Sequence, residues 1–199
     1  MTDYIENTTV TLRDLVAQGE TGLVVRNCTV IPLVFVSKLF SSAKVSGLTF
    51  ENCKFRSGNK SGERNFRIKN GVFENCRFTK CDLGFSDALF IEGGQVSNIT
   101  FEGCKLQARF NNCKIVNSKF GECKFKKSIF VGDSFENVDF NASTFFETSF
   151  GECKYNNVSF ANISAYDLTD IDSHFPINQL PKGDDFFFVD HAKIQTVLS

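Results

Sequence analysis

The stretch FNNCKIVNSKFGECKFKKSIFVGDSFENVDFNASTFFETSFGECKYNNVSF, residues 110–160, returns a bulky apolar residue at every fifth position. The series runs Phe110, Ile115, Phe120, Phe125, Phe130, Phe135, Phe140, Phe145, Phe150, Tyr155 and Phe160 without a miss. An α-helix would smear these side chains around its cylinder, because five residues rotate about 140° beyond a full turn. A flat strand would send successive members to opposite faces. Only a chain that turns a corner within each five-residue unit keeps them all inward. Four corners close a square coil of twenty residues, and stacked coils form an all-β solenoid.

The same step appears earlier, at Val25, Val30, Phe35, Phe40, Val45, Phe50 and Phe55, and in shorter runs at 68–83 and 91–106. It predicts stacked columns about 4.8 Å apart per coil. These are Phe110/Phe130/Phe150, Phe120/Phe140/Phe160, Ile115/Phe135/Tyr155 and Phe125/Phe145. If the repeated residue is i, then i−2 also faces inward and is small, as in Ala108, Cys113, Ser118, Cys123 and Ser128. All eight cysteines (Cys28, Cys53, Cys76, Cys81, Cys104, Cys113, Cys123 and Cys153) fall at i−2 and read as reduced core thiols. Asparagine recurs at i+2, where it tolerates the left-handed backbone of a corner, and Asn117, Asn137 and Asn157 should stack as a ladder.

The units FENCKF (50–55), FENCRF (73–78), FEGCKL (101–106), FGECKF (120–125) and FGECKY (150–155) resemble pentapeptide-repeat proteins. That resemblance covers roughly residues 25–166 and implies a right-handed quadrilateral parallel β-helix. Phe stands at i where Leu is common in the family, and Cys, Ser and Thr largely replace Ala at i−2. Residues 1–24 are expected as an N-terminal cap and 167–199 as a C-terminal cap or dimerisation tail. In the tail, Asp184 and Asp185 can cap a helix that places Phe187, His191, Ile194 and Leu198 on one face. The resemblance also implies dimerisation through this end.

Two segments break the register. Residues 56–67 read as a loop carrying Arg56, Lys60, Arg64 and Arg67, and residues 84–94 as a more apolar excursion. A third slip, from Leu106 to Phe110, reads as a kink. Composition excludes wholesale disorder, with 42% hydrophobic and 23% charged residues in a chain of 199. The net charge of −1 is that of neither a polycation nor a strong acid mimic, although residues 31–99 are basic and the two ends acidic. The first ten residues, MTDYIENTTV, show no secretory signal, and no apolar run approaches a membrane span. A soluble cytoplasmic protein is the expectation.

Nucleophile, phosphate-loop and zinc motifs are absent from the sequence, the only histidines are His174 and His191, and no cofactor is called for. Asp133 is the one acid at an inward position in the regular run, best read as a hydrogen-bonded corner. The expected function is therefore non-enzymatic binding of a protein. Family members that act on type II DNA topoisomerase make DNA gyrase the specific candidate, through imitation of DNA by surface carboxylates. The outward acids Glu122, Glu136, Glu147 and Glu152 are the candidate contacts, with the loop cations. They are dispersed, however, and the positions just before i include Arg109, Lys114, Lys119, Lys124 and Lys154. The loop cations have no aromatics interleaved, so direct nucleic-acid binding is not expected. An adaptor solenoid is the alternative. A pectin-lyase-like carbohydrate enzyme is disfavoured by the strict five-residue step.

Overall fold

The computed structural model describes residues 4–11, 15, 23–31, 44–56, 66–84, 89–171, 173 and 186–189. The elements among them are parallel strands in an 11-stranded and a 13-stranded sheet. Each sheet bends at a corner, so the two supply four walls. The first wall stacks Tyr4–Glu6, Val24–Arg26, Thr49–Glu51, Arg77–Thr79, Thr100–Glu102 and the end of Lys114–Gly121. The second runs from Thr9–Thr11 through Thr29–Ile31, Lys54–Phe55, Asp82–Leu83, Lys105–Leu106 and Lys124–Lys126 to the start of Thr144–Gly151. The third contains Phe66–Lys69, Leu89–Glu92, Ala108–Asn111 and Ile129–Val131. The fourth contains Lys44–Ser46, Val72–Glu74, Gln95–Ser97 and the start of Lys114–Gly121, followed by Ser134–Asp139 and Lys154–Ser159.

The expected columns are present. Phe130 lies between Phe110 and Phe150, with ring centroids 5.3 and 4.7 Å away and planes 7° apart. Phe140 lies 5.0 Å from Phe120 and 4.9 Å from Phe160. Phe135 stacks on Tyr155 at 5.5 Å, and Phe125 on Phe145 at 4.9 Å. Rings from opposite walls meet edge to face, as Phe130 meets Phe140 at 82°. The interior is therefore filled by rings in both favourable aromatic arrangements.

Corners explain the residue at i+2. Asn112, Asn117, Glu122, Lys127, Asn137, Ala142, Glu147, Glu152, Asn157 and Asn162 all have φ between 48° and 56°. Asparagine gains an additional bond where it stacks on another asparagine. Asn137 Nδ2 donates to Asn117 Oδ1 at 3.0 Å, and Asn157 Nδ2 to Asn137 Oδ1 at 2.8 Å.

The i−2 column does more than save space. At a corner, the amide of i+2 bonds the next coil and that of i−1 the previous one, as in Asn52 to Thr79 and Lys54 to Cys28. The intervening i−2 amide needs another acceptor, and an i−2 side chain of the following coil supplies it. Ile99 N–H donates to Ser118 Oγ, Ala108 N–H to Ser128 Oγ, Cys123 N–H to Ser143 Oγ and Cys153 N–H to Ser173 Oγ. Cys81 N–H donates to Cys104 Sγ at 3.4 Å. Ser143 also donates to Phe120 O at 2.6 Å. Ser143→Ala should cost about 1–3 kcal/mol, the penalty for an orphaned buried amide. The outward Ser134→Ala should cost less than about 0.5 kcal/mol. Urea unfolding of the two variants checks this, and equal costs would refute the corner role.

Several expectations need correction. Tyr4–Glu6 and Thr9–Thr11 already pair with the next coil, and Ile5 and Val10 pack on the core, so wall begins inside residues 1–24. Ile5, Asn7 and Val10 follow the same i, i+2, i pattern. The break at 56–67 is shorter at both ends. Arg56 N–H still donates to Val30 O, and Arg67 lies in the strand Phe66–Lys69. Within 84–94, Leu89–Glu92 is wall and Gly93 a corner with φ 61°. The kink after Leu106 shortens a coil without opening the wall, since Phe101 still pairs Phe120 and Ile91 pairs Phe110. Phe186–Val189 is a strand paired with Leu168–Ile171, not the start of a helix, because parallel pairing continues the wall at its open edge.

Candidate binding surface

The candidate residues that the structure describes have definite places. Arg56 is exposed at the edge of the second wall, Arg67 is in the third, and Lys60 and Arg64 lie outside the described residues. Glu122, Glu147 and Glu152 occupy three different corners, and Glu136 stands on the fourth wall. Glu147 is 3.3 Å from Lys127 and Glu136 is 3.8 Å from Lys114. The structure does not gather these carboxylates into a stripe. Phe187 lies in the last strand, whereas His191, Ile194 and Leu198 fall outside the described residues.

The first, third and fourth walls pair most of their charges between neighbouring coils, although Arg77 and Lys154 have no carboxylate within 4.0 Å among the described residues. Arg26 bridges Glu6 and Glu51 at 2.9 and 2.7 Å, Lys119 meets Glu102 at 2.9 Å, and Lys69 meets Glu92 at 3.3 Å. The hydrogen bond that Arg26 donates to Glu51 raises its pKa, and the one that Lys119 donates to Glu102 raises the Lys119 pKa. These pairs are exposed and contribute little to stability.

The second wall differs. Lys54, Arg56, Lys105, Lys124 and Lys126 are all exposed there, and none has a carboxylate within 4.0 Å among the described residues. Asp82 is the acid between Lys54 and Lys105 in the register, and its Oδ1 accepts the Gly84 amide instead. One end of this wall carries Phe146 and Tyr166, 39% and 52% exposed. They continue the row of Lys126, which pairs with Phe146 as Phe146 pairs with Tyr166. Lys126 Nζ lies 5.6 Å from the Phe146 ring centroid, a cation–π distance. This surface is not visible as a unit in the sequence. Coils of 28 and 23 residues, between Phe50, Phe78 and Phe101, hide the alignment of Lys54 and Arg56 with Lys105 and Lys124.

The interior holds titratable groups of another kind. All eight cysteines are free and buried. Cys53, Cys81, Cys104 and Cys123 stand in one column beside the second wall, because their i residues pair in register. Asp133, 1% exposed, sits between Cys113 and Cys153 in another column. Its Oδ1 accepts the Cys113 amide at 2.7 Å, and its Oδ2 has no hydrogen-bond partner. Burial pushes the Asp133 pKa up to about 7. Burial, and then the Asp133 charge, push the Cys113 and Cys153 thiols up to about 12. A thiol held that high stays protonated and unreactive. Among the described residues no group of His, Cys, Asp and Glu is arranged to hold a metal ion.

The five-residue step, the left-handed corners and the two all-parallel sheets define a pentapeptide-repeat β-solenoid. No family model matches the chain, and no curated protein matches it by sequence. Among solved structures, a trypsin-treated variant of QnrB1, a plasmid-mediated fluoroquinolone resistance protein, is 14% identical at a TM-score of 0.44. That alignment covers 100% of this chain and 97% of the other. The pentapeptide repeat protein Rfr23 from the cyanobacterium Cyanothece 51142 is 8% identical at a TM-score of 0.31, covering 61% and 90% of the two chains. HetL from the cyanobacterium Nostoc, a pentapeptide repeat protein involved in heterocyst differentiation regulation, is 9% identical at 0.22, covering 85% and 71%.

Proposed function

We propose that the protein is a non-enzymatic cytoplasmic solenoid that acts by binding another protein, with type II DNA topoisomerase as the specific partner. The observation that carries the binding reading is the division of labour in the coil. Buried polar groups such as Asp133 and Ser143 are spent on backbone amides, while unpaired cations and exposed aromatics face outward on a flat wall. The topoisomerase reading draws on the repeat resemblance. It does not use DNA mimicry by Glu122, Glu136, Glu147 and Glu152, which stand on separate corners and walls. Dimerisation through residues 167–199 belongs to the same proposal, with a dimer mass in light scattering as its check.

A titration of gyrase supercoiling with the purified protein, with and without a fluoroquinolone, tests the specific partner. Inhibition or drug protection at low-micromolar protein or below is expected. No effect on gyrase or topoisomerase IV removes the topoisomerase. A second reading, an adaptor for a different protein, is favoured by Phe146 and Tyr166, whose exposed rings are a natural anchor for a partner.

A further inference from the structure

We infer that the second wall is a docking surface for single-stranded nucleic acid. This goes beyond the protein-binding reading and does not depend on it. The walls contrast in how most of their charges are paired, with Arg77 and Lys154 as isolated unpaired cations on the first and fourth walls among the described residues. Arg26, Lys69, Lys114, Lys119 and Lys127 each have a carboxylate partner. The five cations of the second wall have none among the described residues, although Asp82 stands next to two of them in the register. Unneutralised like charges on one flat surface repel one another, and a polyanion that lies along the surface relieves that repulsion.

Geometry selects the kind of polyanion. The cations form two outward rows along the rod, one through Lys54, Lys105 and Lys124 and the other through Arg56 and Lys126. The second row then passes into Phe146 and Tyr166. From the coil of Lys54 to that of Tyr166 is roughly 24 Å at about 4.8 Å per coil, room for about four extended nucleotides. Cations that track phosphates, followed by rings on which unpaired bases stack, are what sequence-tolerant single-strand binding requires. An acidic polypeptide would use the cations and leave the aromatic end without a role. A duplex would keep its bases stacked inside and likewise leave the rings unused.

The test is fluorescence anisotropy with the full chain and a labelled oligothymidylate of about 15 nucleotides, at about 50 and 200 mM salt. Binding is expected, with affinity falling as salt rises at a log–log slope no steeper than about −3.5, the limit for five neutralised phosphates on a single strand. The triple substitution Lys105→Glu, Lys124→Glu and Lys126→Glu should weaken binding at least about tenfold and flatten the slope. Phe146→Ala with Tyr166→Ala should weaken it about fivefold or more with the slope unchanged. Lys114→Glu with Lys154→Glu, on the fourth wall, should leave it as it was. All of these side chains point outward, so circular dichroism and Tm should confirm that every variant is folded. Three results would overturn the inference. One is no binding by the folded wild type at the lower salt. Another is an unchanged affinity in the aromatic double variant. The third is equal binding of a duplex or of polyglutamate, which would make the wall a general polyanion or acidic-protein surface.

Discussion

Asp133→Asn is expected to change the pH dependence of stability by several kcal/mol, about 3–4 across the neutral range. The folded pKa of Asp133 is raised from the ordinary 3.8 to about 7 by burial. A carboxyl whose folded pKa lies above its unfolded value contributes stability that is fully present below pH 4. That contribution is lost progressively as pH rises through 7, because the folded state holds a proton that the unfolded state has released. The span from 3.8 to about 7 corresponds to roughly 4 kcal/mol. Asparagine keeps an oxygen to accept the Cys113 amide and carries no charge at any pH. The stability of the variant relative to wild type should therefore rise by roughly 3–4 kcal/mol between pH 4 and pH 8. Cys113 and Cys153, the neighbouring thiols, stay protonated across this window, since both are held near 12. Urea unfolding at a series of pH values measures the difference. Parallel stability curves for the two proteins would show that Asp133 is already charged in the fold at low pH, contrary to its buried setting.

The second large effect belongs to the aromatic columns. Phe130 is fully buried and stacks on Phe110 and Phe150. It also meets Phe125, Phe135 and Phe140 across the interior at 5.9, 5.9 and 6.3 Å. Phe130→Ala removes the transfer energy of the ring and leaves a cavity between two coils whose hydrogen-bonded walls cannot close over it. The expected loss is about 3–5 kcal/mol. Phe130→Leu, which keeps much of the volume, should lose less than half of that. By contrast, Phe146→Ala should cost less than about 1 kcal/mol, because that ring lies on the outer face of the wall, 39% exposed, and leaves no interior cavity. A comparable loss at Phe130 and Phe146 would contradict the inward and outward assignment of the repeat.

These two residues also show what the sequence makes legible. Phe130 belongs to an uninterrupted series with a step of five, and a step of five has one steric solution that buries every member. Its column, its neighbours twenty residues away and the corner two residues on, at Gly132, follow from arithmetic alone. Asp133 is identifiable as an inward acid for the same reason. Its amide partner is not, because the orphaned i−2 amide becomes apparent only when the corner bonds are traced. The second wall is hidden for a different cause. Aligning Lys54 and Arg56 with Lys105 and Lys124 requires knowing where the chain re-enters the coil after each insertion. Phe66 and Leu89 mark those points, and neither lies on an unbroken five-residue series. In the tail, Phe187 fits a helical face as well as a strand, since short apolar runs do not distinguish the two. Pairing of Leu168 with Phe186 decides for the strand.

The most direct test is a supercoiling titration of gyrase by the wild type and Asp133→Asn side by side, with and without a fluoroquinolone. Function is assigned to the outer walls, and Asp133 to the interior. Both proteins are therefore predicted to inhibit the enzyme, or protect it from the drug, with the same dose dependence. A folded Asp133→Asn variant that has lost the effect would contradict the division between structural interior and functional surface. Silence from both proteins would contradict the choice of topoisomerase as partner.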